Sequence, residues 1–131
     1  MSNLENITPA RAAELIRDGA VLIDVRETHE HAHENIPGAR HHALSQIDAR
    51  HPLRAGDTVL IYHCKSGART NMNARRLAAV SGNCDVYLLS GGIDAWKRAG
   101  LPTSISPGHS AGSEAGGSES GLLSKLAALF R

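Results

Sequence analysis

Short apolar runs alternate along this chain with segments whose apolar residues recur at helical spacing. Continuous apolar runs predict strands buried on both faces of a sheet, and they cover residues 21–25, 58–62 and 86–89. Two shorter strands are expected over 6–7 and 39–43. Their spacing leaves room for a helix between most successive strands.

Four helices are predicted between and after these strands. The first has Thr8 as its N-cap and Pro9 at its first helical position, and it stops at Gly19. The others cover 27–34, 70–80 and a stretch from about Ile93 to Gly100. Strands that alternate with helices predict an α/β domain with a parallel sheet covered on both faces, over residues 1–103.

The composition changes after this domain. Residues 104–121 are rich in Ser and Gly and are expected to form a flexible linker. Residues 122–131 become apolar again and predict a short amphipathic helix, with one face formed by Leu122, Leu123, Leu126, Leu129 and Phe130. A helix this short is marginal alone in water. We therefore expect it to dock on a protein or, with less support from its few cations, on a membrane surface.

Charge and composition exclude several classes of function. The chain has 131 residues, a net charge of +1 and an aromatic content of 3%, which argue against a nucleic-acid surface. No apolar run is long enough to form a transmembrane segment. The first residues do not have the features of a secretory leader, so a cytoplasmic location is expected.

The strongest chemical signal is the segment that follows the strand at 58–62. Cys64 is placed at the carboxyl end of a parallel strand, where open α/β sheets bind ligands. Backbone N–H groups of the next loop and the N-terminus of the next helix are expected to stabilise a thiolate there. The residues of this predicted cradle are Lys65, Ser66, Gly67, Ala68, Arg69 and Thr70.

The two cysteines are interpreted differently. A buried structural role for Cys64 is the competing interpretation, but a core cysteine does not need a glycine-containing cationic loop after it. Cys84 stands at the entrance to an apolar strand, and we expect it to be structural. The spacing of the two cysteines matches no CxxC redox or zinc motif.

Four segments in this order resemble the rhodanese family across residues 4–103. They are residues 22–26 (Leu-Ile-Asp-Val-Arg), 36–39 (Ile-Pro-Gly-Ala), the loop at 64–70 and 89–96 (Leu-Ser-Gly-Gly-Ile-Asp-Ala-Trp). Asn35 departs from the family, which often has histidine there. The resemblance implies a three-layer domain with a five-stranded parallel sheet flanked by helices.

The resemblance also implies an activity. A rhodanese-type sulfurtransferase moves sulfane sulfur from an anionic donor such as thiosulfate to a thiol, cyanide or protein acceptor. Cys64 would carry that sulfur as a persulfide, which is covalent catalysis in two half-reactions. No cofactor and no metal ion are expected.

Two other classes of function remain open at this point. Cysteine-dependent phosphatases also place a Gly-containing loop and an arginine after His-Cys, but with five intervening residues, whereas four separate Cys64 from Arg69. Thr70 occupies the phosphatase arginine position here. The second class is a non-enzymatic binding module or a persulfide relay to a specific protein.

Polar residues near the predicted sheet edge need partners of their own. Asp24 interrupts an apolar strand and is assigned a supporting role, with Arg69 or the loop backbone as its favoured partner. Arg26 and Arg40 are the alternative partners. The histidines at positions 29, 31, 33, 41 and 42 match no zinc-module spacing and are expected to be solvated.

Overall fold

A computed structural model describes residues 4–47 and 59–106. The strands in these ranges are β1 (Leu4–Ile7), β2 (Val21–Asp24), β3 (Glu34–Asn35), β4 (Arg40–His41), β5 (Leu60–His63), β6 (Val86–Leu89) and β7 (Ser104–Ile105). The helices are α1 (Pro9–Arg17), α2 (Thr28–His33), α3 (Ala68–Met72), α4 (Ala74–Val80) and α5 (Gly92–Arg98), with a 3₁₀ turn at Leu44–Gln46.

Five of these strands form one sheet in the order β1-β6-β5-β2-β4, and every pairing in it is parallel. This confirms the predicted five-stranded parallel sheet. β5 is the central strand, so the residue after it emerges in the middle of the carboxyl edge. That residue is Cys64.

Side chains that alternate along the strands fill two cores, one on each face of the sheet. Leu22 and Ile61 pack with residues of α1 and α5, including Trp96. Ile23 and Tyr62, one position further along each strand, pack instead with Leu77 of α4. Helices therefore cover both faces, and the three-layer α/β arrangement is confirmed.

Local signals in the sequence explain several helix starts. The Thr8 hydroxyl accepts a hydrogen bond from the Arg11 N–H at 3.1 Å, and Pro9 is the first helical residue of α1, as predicted. α2 begins with a capping box in which the Glu27 N–H donates to the Glu30 side chain at 3.0 Å. This cap holds Glu30 in the first turn of α2.

The helix predicted over 70–80 differs from the observed structure. It begins earlier, at Ala68, and is divided into α3 and α4 at Asn73. The Asn73 backbone leaves helical geometry (φ −111°, ψ 18°), and its side-chain amide donates to the Arg69 carbonyl at 2.8 Å. Asparagine competes in this way with helical hydrogen bonding, so α3 is a single short turn that belongs to the loop.

The last described residues remain attached to the domain. β7 pairs antiparallel with β3, and the Ser106 N–H donates to the His33 carbonyl at 2.7 Å. The contacts of the domain therefore extend a few residues past position 103. The rest of the predicted linker, and the predicted helix at 122–131, lie outside the described residues. Among the residues that the structure describes, no helix has the length and apolar character needed to cross a membrane.

Candidate functional site

The sulfur of Cys64 lies under the first residues of the loop that follows β5. Its Sγ accepts a hydrogen bond from the Gly67 N–H at 3.1 Å, and the Thr70 hydroxyl lies 3.8 Å away. That hydroxyl also donates to the Gly67 carbonyl at 3.1 Å, which holds it in the loop. The Gly67 N–H beside the sulfur can stabilise a thiolate or a persulfide, and the Thr70 hydroxyl lies close enough to join it if its proton turns towards the sulfur.

Two expectations about this loop need correction. Cys64 was assigned to a sheet edge that binds ligands, but its side chain is fully buried, while Ser66 and Ala68 are exposed. Several N–H groups were expected to converge on the sulfur, but the Ala68 N–H is directed to the Ser66 hydroxyl at 3.4 Å. Gly67 is the residue whose N–H contacts the sulfur, and its left-handed backbone (φ +93°) turns that N–H inward.

The N-terminus of α5 holds the beginning of the loop. The Ile93 N–H donates to the Cys64 carbonyl at 2.9 Å, and the Asp94 N–H donates to the Lys65 carbonyl at 3.1 Å. Two N–H groups that a helix start leaves without intrahelical partners thereby fix two successive loop carbonyls. The position of Cys64 is therefore set by α5, a helix that begins 28 residues further along the chain.

Gly92 makes this close approach possible. A Cβ at this position would lie 2.4 Å from both the Cys64 and the Lys65 carbonyl oxygens, and its φ is +59°. Sequence reasoning used the Gly-Gly pair only as part of a resemblance and assigned it no role. The available signal was two glycines between an apolar strand and a helix start, the pattern of a close backbone approach.

Both cations of the loop are ion-paired. Lys65 Nζ lies 2.9 Å from a carboxylate oxygen of Asp94 in α5. Arg69 makes two hydrogen bonds to the Glu30 carboxylate of α2, at 2.7 and 2.8 Å. The loop is thus held on one side by α2 and on the other by α5. Neither carboxylate was identified from the sequence, because each lies in a separate element.

Asp24 is paired differently from the favoured prediction. Arg26, the stated alternative, donates to it from its backbone N–H at 2.9 Å and from its guanidinium at 2.8 to 3.2 Å. The Arg69 pairing is wrong, since Glu30 occupies that guanidinium. Burial alone would raise the pKa of Asp24, but the hydrogen bonds from Arg26 and His31 hold it well below its usual range.

The expectation of solvated histidines is wrong for two of them. His31 contacts an Asp24 carboxylate oxygen through Nδ1 at 2.8 Å, and its ring stacks on that of His41 at 4.5 Å. His41 in turn donates from Nε2 to the Arg26 carbonyl at 2.8 Å. These rings belong to the support of Asp24. Within residues 4–47 and 59–106, no group of His, Cys, Asp and Glu side chains is arranged to hold a metal ion.

His63 was missed by the sequence analysis. It is fully buried, its Nδ1 lies 3.1 Å from the Cys64 carbonyl, and its Nε2 has no hydrogen-bond partner among the described residues. The nearest carboxylate oxygen, on Asp24, is 3.8 Å from Nε2. The sequence signal was a histidine at the end of an apolar strand, directly before the cysteine.

Cys84 lies away from this site. It is buried, and it precedes β6 at the amino end of the sheet, whereas Cys64 follows β5 at the carboxyl end. A four-residue strand separates these edges by about 13 Å, too far for a disulfide. No disulfide joins the two cysteines.

Comparison with known proteins assigns this arrangement to a class. The sequence model of a protein family described as the rhodanese-like domain matches residues 8–99 of this chain. A thiosulfate sulfurtransferase, GlpE, of Ectopseudomonas mendocina is 35% identical over 111 residues, which cover 82% of this chain and 97% of that protein. The chain belongs to the rhodanese-like domain family.

Solved structures agree on the fold. A rhodanese-like domain from Anabaena sp. superimposes with a TM-score of 0.66 at 22% identity, over 80% of this chain and 83% of that one. A Rhodopseudomonas palustris protein, described as of unknown function and a possible tyrosine phosphatase, superimposes with a TM-score of 0.61 at 28% identity. That match covers 74% of this chain and 82% of that one.

Substituting Gly92 by alanine should displace the Cys64 loop. The new Cβ would overlap two loop carbonyls and break the hydrogen bonds that Ile93 and Asp94 donate to them. A displacement near 1 Å at a reacting atom can lower turnover on the order of 100-fold. The measurement is single-turnover labelling of Cys64 by a sulfane donor, together with urea unfolding.

Gly82→Ala is the matched control for Gly92→Ala. Gly82 has nearly the same backbone (φ +61°), but nothing lies within 4 Å of its added Cβ. The Gly82→Ala variant should lose only the about 1–2 kcal/mol of unfolding free energy that a left-handed backbone costs alanine. Its turnover should be unchanged. Equal loss of turnover in the two variants would show that the carbonyl contacts do not position the site.

Burial of His63 should make stability depend on pH near neutrality. Burial lowers the pKa of His63, despite the nearby Asp24 carboxylate. In the unfolded chain His63 binds a proton as the pH falls below about 6.5, whereas in the folded chain it stays neutral to lower pH. The free energy of unfolding is therefore retained above this pH and decreases below it. The contribution is at most about 1.4 kcal/mol per pH unit.

Urea unfolding between pH 7.5 and 5.5 would measure this slope in the natural chain and in His63→Gln. The natural chain should lose more stability on acidification than the variant. The ring-proton NMR signal of His63 should also stay that of neutral imidazole at pH 6. A signal that shifts with a midpoint at or above 6.5 would show that His63 is charged in the folded protein.

Proposed function

We propose that this chain is a sulfurtransferase that carries sulfane sulfur from an anionic donor, such as thiosulfate, to a thiophilic acceptor as a Cys64 persulfide. The observation that carries the proposal is the sulfur of Cys64 at the carboxyl edge of the sheet, with the Gly67 N–H donating to it at 3.1 Å. The name of the Ectopseudomonas mendocina relative supports the same reaction.

In the first half-reaction, the Cys64 thiolate attacks the outer sulfur of thiosulfate. The bond between that sulfur and the sulfonate sulfur breaks, and sulfite leaves with the electron pair. Cys64 then carries one additional sulfur, with its negative charge on the terminal atom. The Gly67 N–H is placed to stabilise this charge, and the Thr70 hydroxyl can contribute once its proton turns from the Gly67 carbonyl to the sulfur.

In the second half-reaction, an acceptor attacks the terminal sulfur and releases the Cys64 thiolate. Cyanide gives thiocyanate, and a thiolate acceptor leaves as its own persulfide. The acceptor can also be the cysteine of a protein, as in a relay. Because Cys64 is buried in the resting structure, each half-reaction requires the donor or acceptor to gain access to its sulfur.

A phosphatase reaction is disfavoured by the loop itself. Thr70 occupies the position at which those enzymes carry arginine, and its short hydroxyl is bonded within the loop to the Gly67 carbonyl. Arg69, one position earlier, is held by Glu30. A phosphate would therefore meet no guanidinium at the expected position.

Substituting Cys64 by serine should abolish thiocyanate formation from thiosulfate and cyanide. The side chain changes by one atom, so unfolding free energy should fall by less than about 2 kcal/mol. Intact mass after thiosulfate treatment should show one added sulfur in the natural chain, removed by cyanide, and none in Cys64→Ser.

Cys84→Ser is the matched control, since Cys84 is a second buried cysteine at the opposite edge of the sheet. The Cys84→Ser variant should still gain one sulfur from thiosulfate, and it should form thiocyanate at the rate of the natural chain. Turnover above a few per cent in folded Cys64→Ser, or its loss in folded Cys84→Ser, would contradict the assignment of Cys64 as the carrier. Hydrolysis of an aryl phosphate by the natural chain would favour the phosphatase reaction.

We further propose that the segment after the domain serves docking and takes no part in catalysis. Every loop residue and every contact of the site belongs to residues 24–94. Deleting residues 107–131, which spares the β3–β7 pairing, should preserve thiosulfate turnover per molecule and change self-association or partner binding. A folded truncated chain with most of its turnover lost would show that the tail completes the site.

A further inference from the structure

The two cations that flank Cys64 are each neutralised by a carboxylate from outside the loop. Asp94 contacts Lys65 through both carboxylate oxygens, at 2.9 and 3.2 Å, and also through its own backbone N–H. Glu30 binds the Arg69 guanidinium with two parallel hydrogen bonds, the strongest geometry for such a pair. Two acidic side chains are thus built into the rim of the donor site.

The Glu30 pair persists at every pH at which the enzyme would work. The hydrogen bonds from Arg69 lower the pKa of Glu30 to about 2, against the effect of its partial burial. Its side chain is 21% exposed, compared with 33% for Asp94 and 61% for Lys65. The Glu30 carboxylate is fixed by a second contact, because it also accepts a hydrogen bond from the Glu27 N–H of the capping box.

The two cations of the loop, Lys65 and Arg69, are therefore each paired with one carboxylate. The loop contributes two positive charges, and Glu30 and Asp94 contribute two negative charges within hydrogen-bond distance of them. The buried pair below the loop, Asp24 with Arg26, cancels as well. A dianion gains twice as much as a monoanion from any uncompensated cation, so cancellation removes more binding energy from a dianion.

We propose that Glu30 and Asp94 determine donor specificity, disfavouring dianionic thiosulfate relative to sulfane donors with one negative charge or none. Persulfides of thiols and organic thiosulfonates are the donors of this class. The inference rests on the proposed sulfur transfer and names the substrate charge that the site prefers. Glu30 and Asp94 act by holding and neutralising Arg69 and Lys65 and need no contact with the reacting sulfur.

The reaction with such donors balances in the same way as that with thiosulfate. The Cys64 thiolate attacks the outer sulfur of a protonated persulfide, R–S–SH, the sulfur–sulfur bond breaks, and the thiolate RS⁻ leaves with the electron pair. Cys64 becomes Cys–S–SH. No oxidant or reductant is required, because the outer sulfur moves from one thiolate to another.

Methanethiosulfonate provides a matched probe for the charge. Its outer sulfur is bonded to an oxidised sulfur, as in thiosulfate, but the molecule carries one negative charge where thiosulfate carries two. Both donors are assayed as thiocyanate formed in the presence of cyanide. The ratio of kcat/KM for thiosulfate to that for methanethiosulfonate reports charge preference separately from the chemistry of Cys64.

Glu30→Gln and Asp94→Asn should each raise this ratio. Glutamine and asparagine keep an oxygen that can accept from the paired cation but remove the negative charge. Removing one negative charge favours a dianion more than a monoanion, and for a separation on the order of 8 Å in water the ratio should rise roughly twofold at low salt. The rise should shrink at high ionic strength.

Asp85→Asn is the control for removing a carboxylate. Asp85 is exposed and precedes β6 at the opposite edge of the sheet, so the ratio should stay unchanged. An unchanged or lower ratio in folded Glu30→Gln and Asp94→Asn, with both donors still turned over, would overturn the specificity proposal alone. If the natural chain forms thiocyanate from neither donor, the proposed sulfur transfer itself is wrong.

Discussion

The close approach of two backbone segments is the constraint on which this site depends. The chain after β5 meets the first residues of α5 so closely that position 92 has no room for a side chain. That contact gives the Cys64 and Lys65 carbonyls their hydrogen-bond donors. With these carbonyls fixed, the chain must turn sharply at Gly67, and its N–H then meets the Cys64 sulfur. A backbone N–H can keep its position beside a sulfur only if the backbone is held in place, and the hydrogen bonds from α5 hold it.

The parts of the fold that depend on local patterning were predictable from the sequence. Apolar runs identified the central strands, and the cap formed by Thr8 and Pro9 is observed as expected. The strand–Cys64–helix order also placed the cysteine at the correct edge of the sheet. Each of these features is encoded within a few consecutive residues, where propensity and periodicity apply.

The pairings between separate elements could not be read in the same way. Arg69 and Glu30 are 39 positions apart, and Lys65 and Asp94 are 29 apart. Which carboxylate reaches which cation depends on strand order and helix position, which no local pattern specifies. For Asp24 the sequence offered several arginines, and the nearest in sequence, Arg26, is the observed partner because the chain turns back at the strand end. The burial of Cys64 was not predicted for the same reason, because α5, which is distant in sequence, binds the chain around it.

A row of polar residues beneath the loop completes this logic. His41, Asp24 and His63 are register partners at the carboxyl ends of β4, β2 and β5, and Cys64 follows the last of them. Burying a carboxylate is costly unless it is paired, and ion pairs of this kind do not by themselves ensure stability. Their contribution here is geometric. α2 uses two consecutive residues, His31 to bond Asp24 and Glu30 to bond Arg69, so one short helix is fixed both to the sheet edge and to the loop. This row thereby positions the Glu30 carboxylate, which pairs with Arg69 of the loop. Residues of the sheet edge and of the helices together set the charges around the loop.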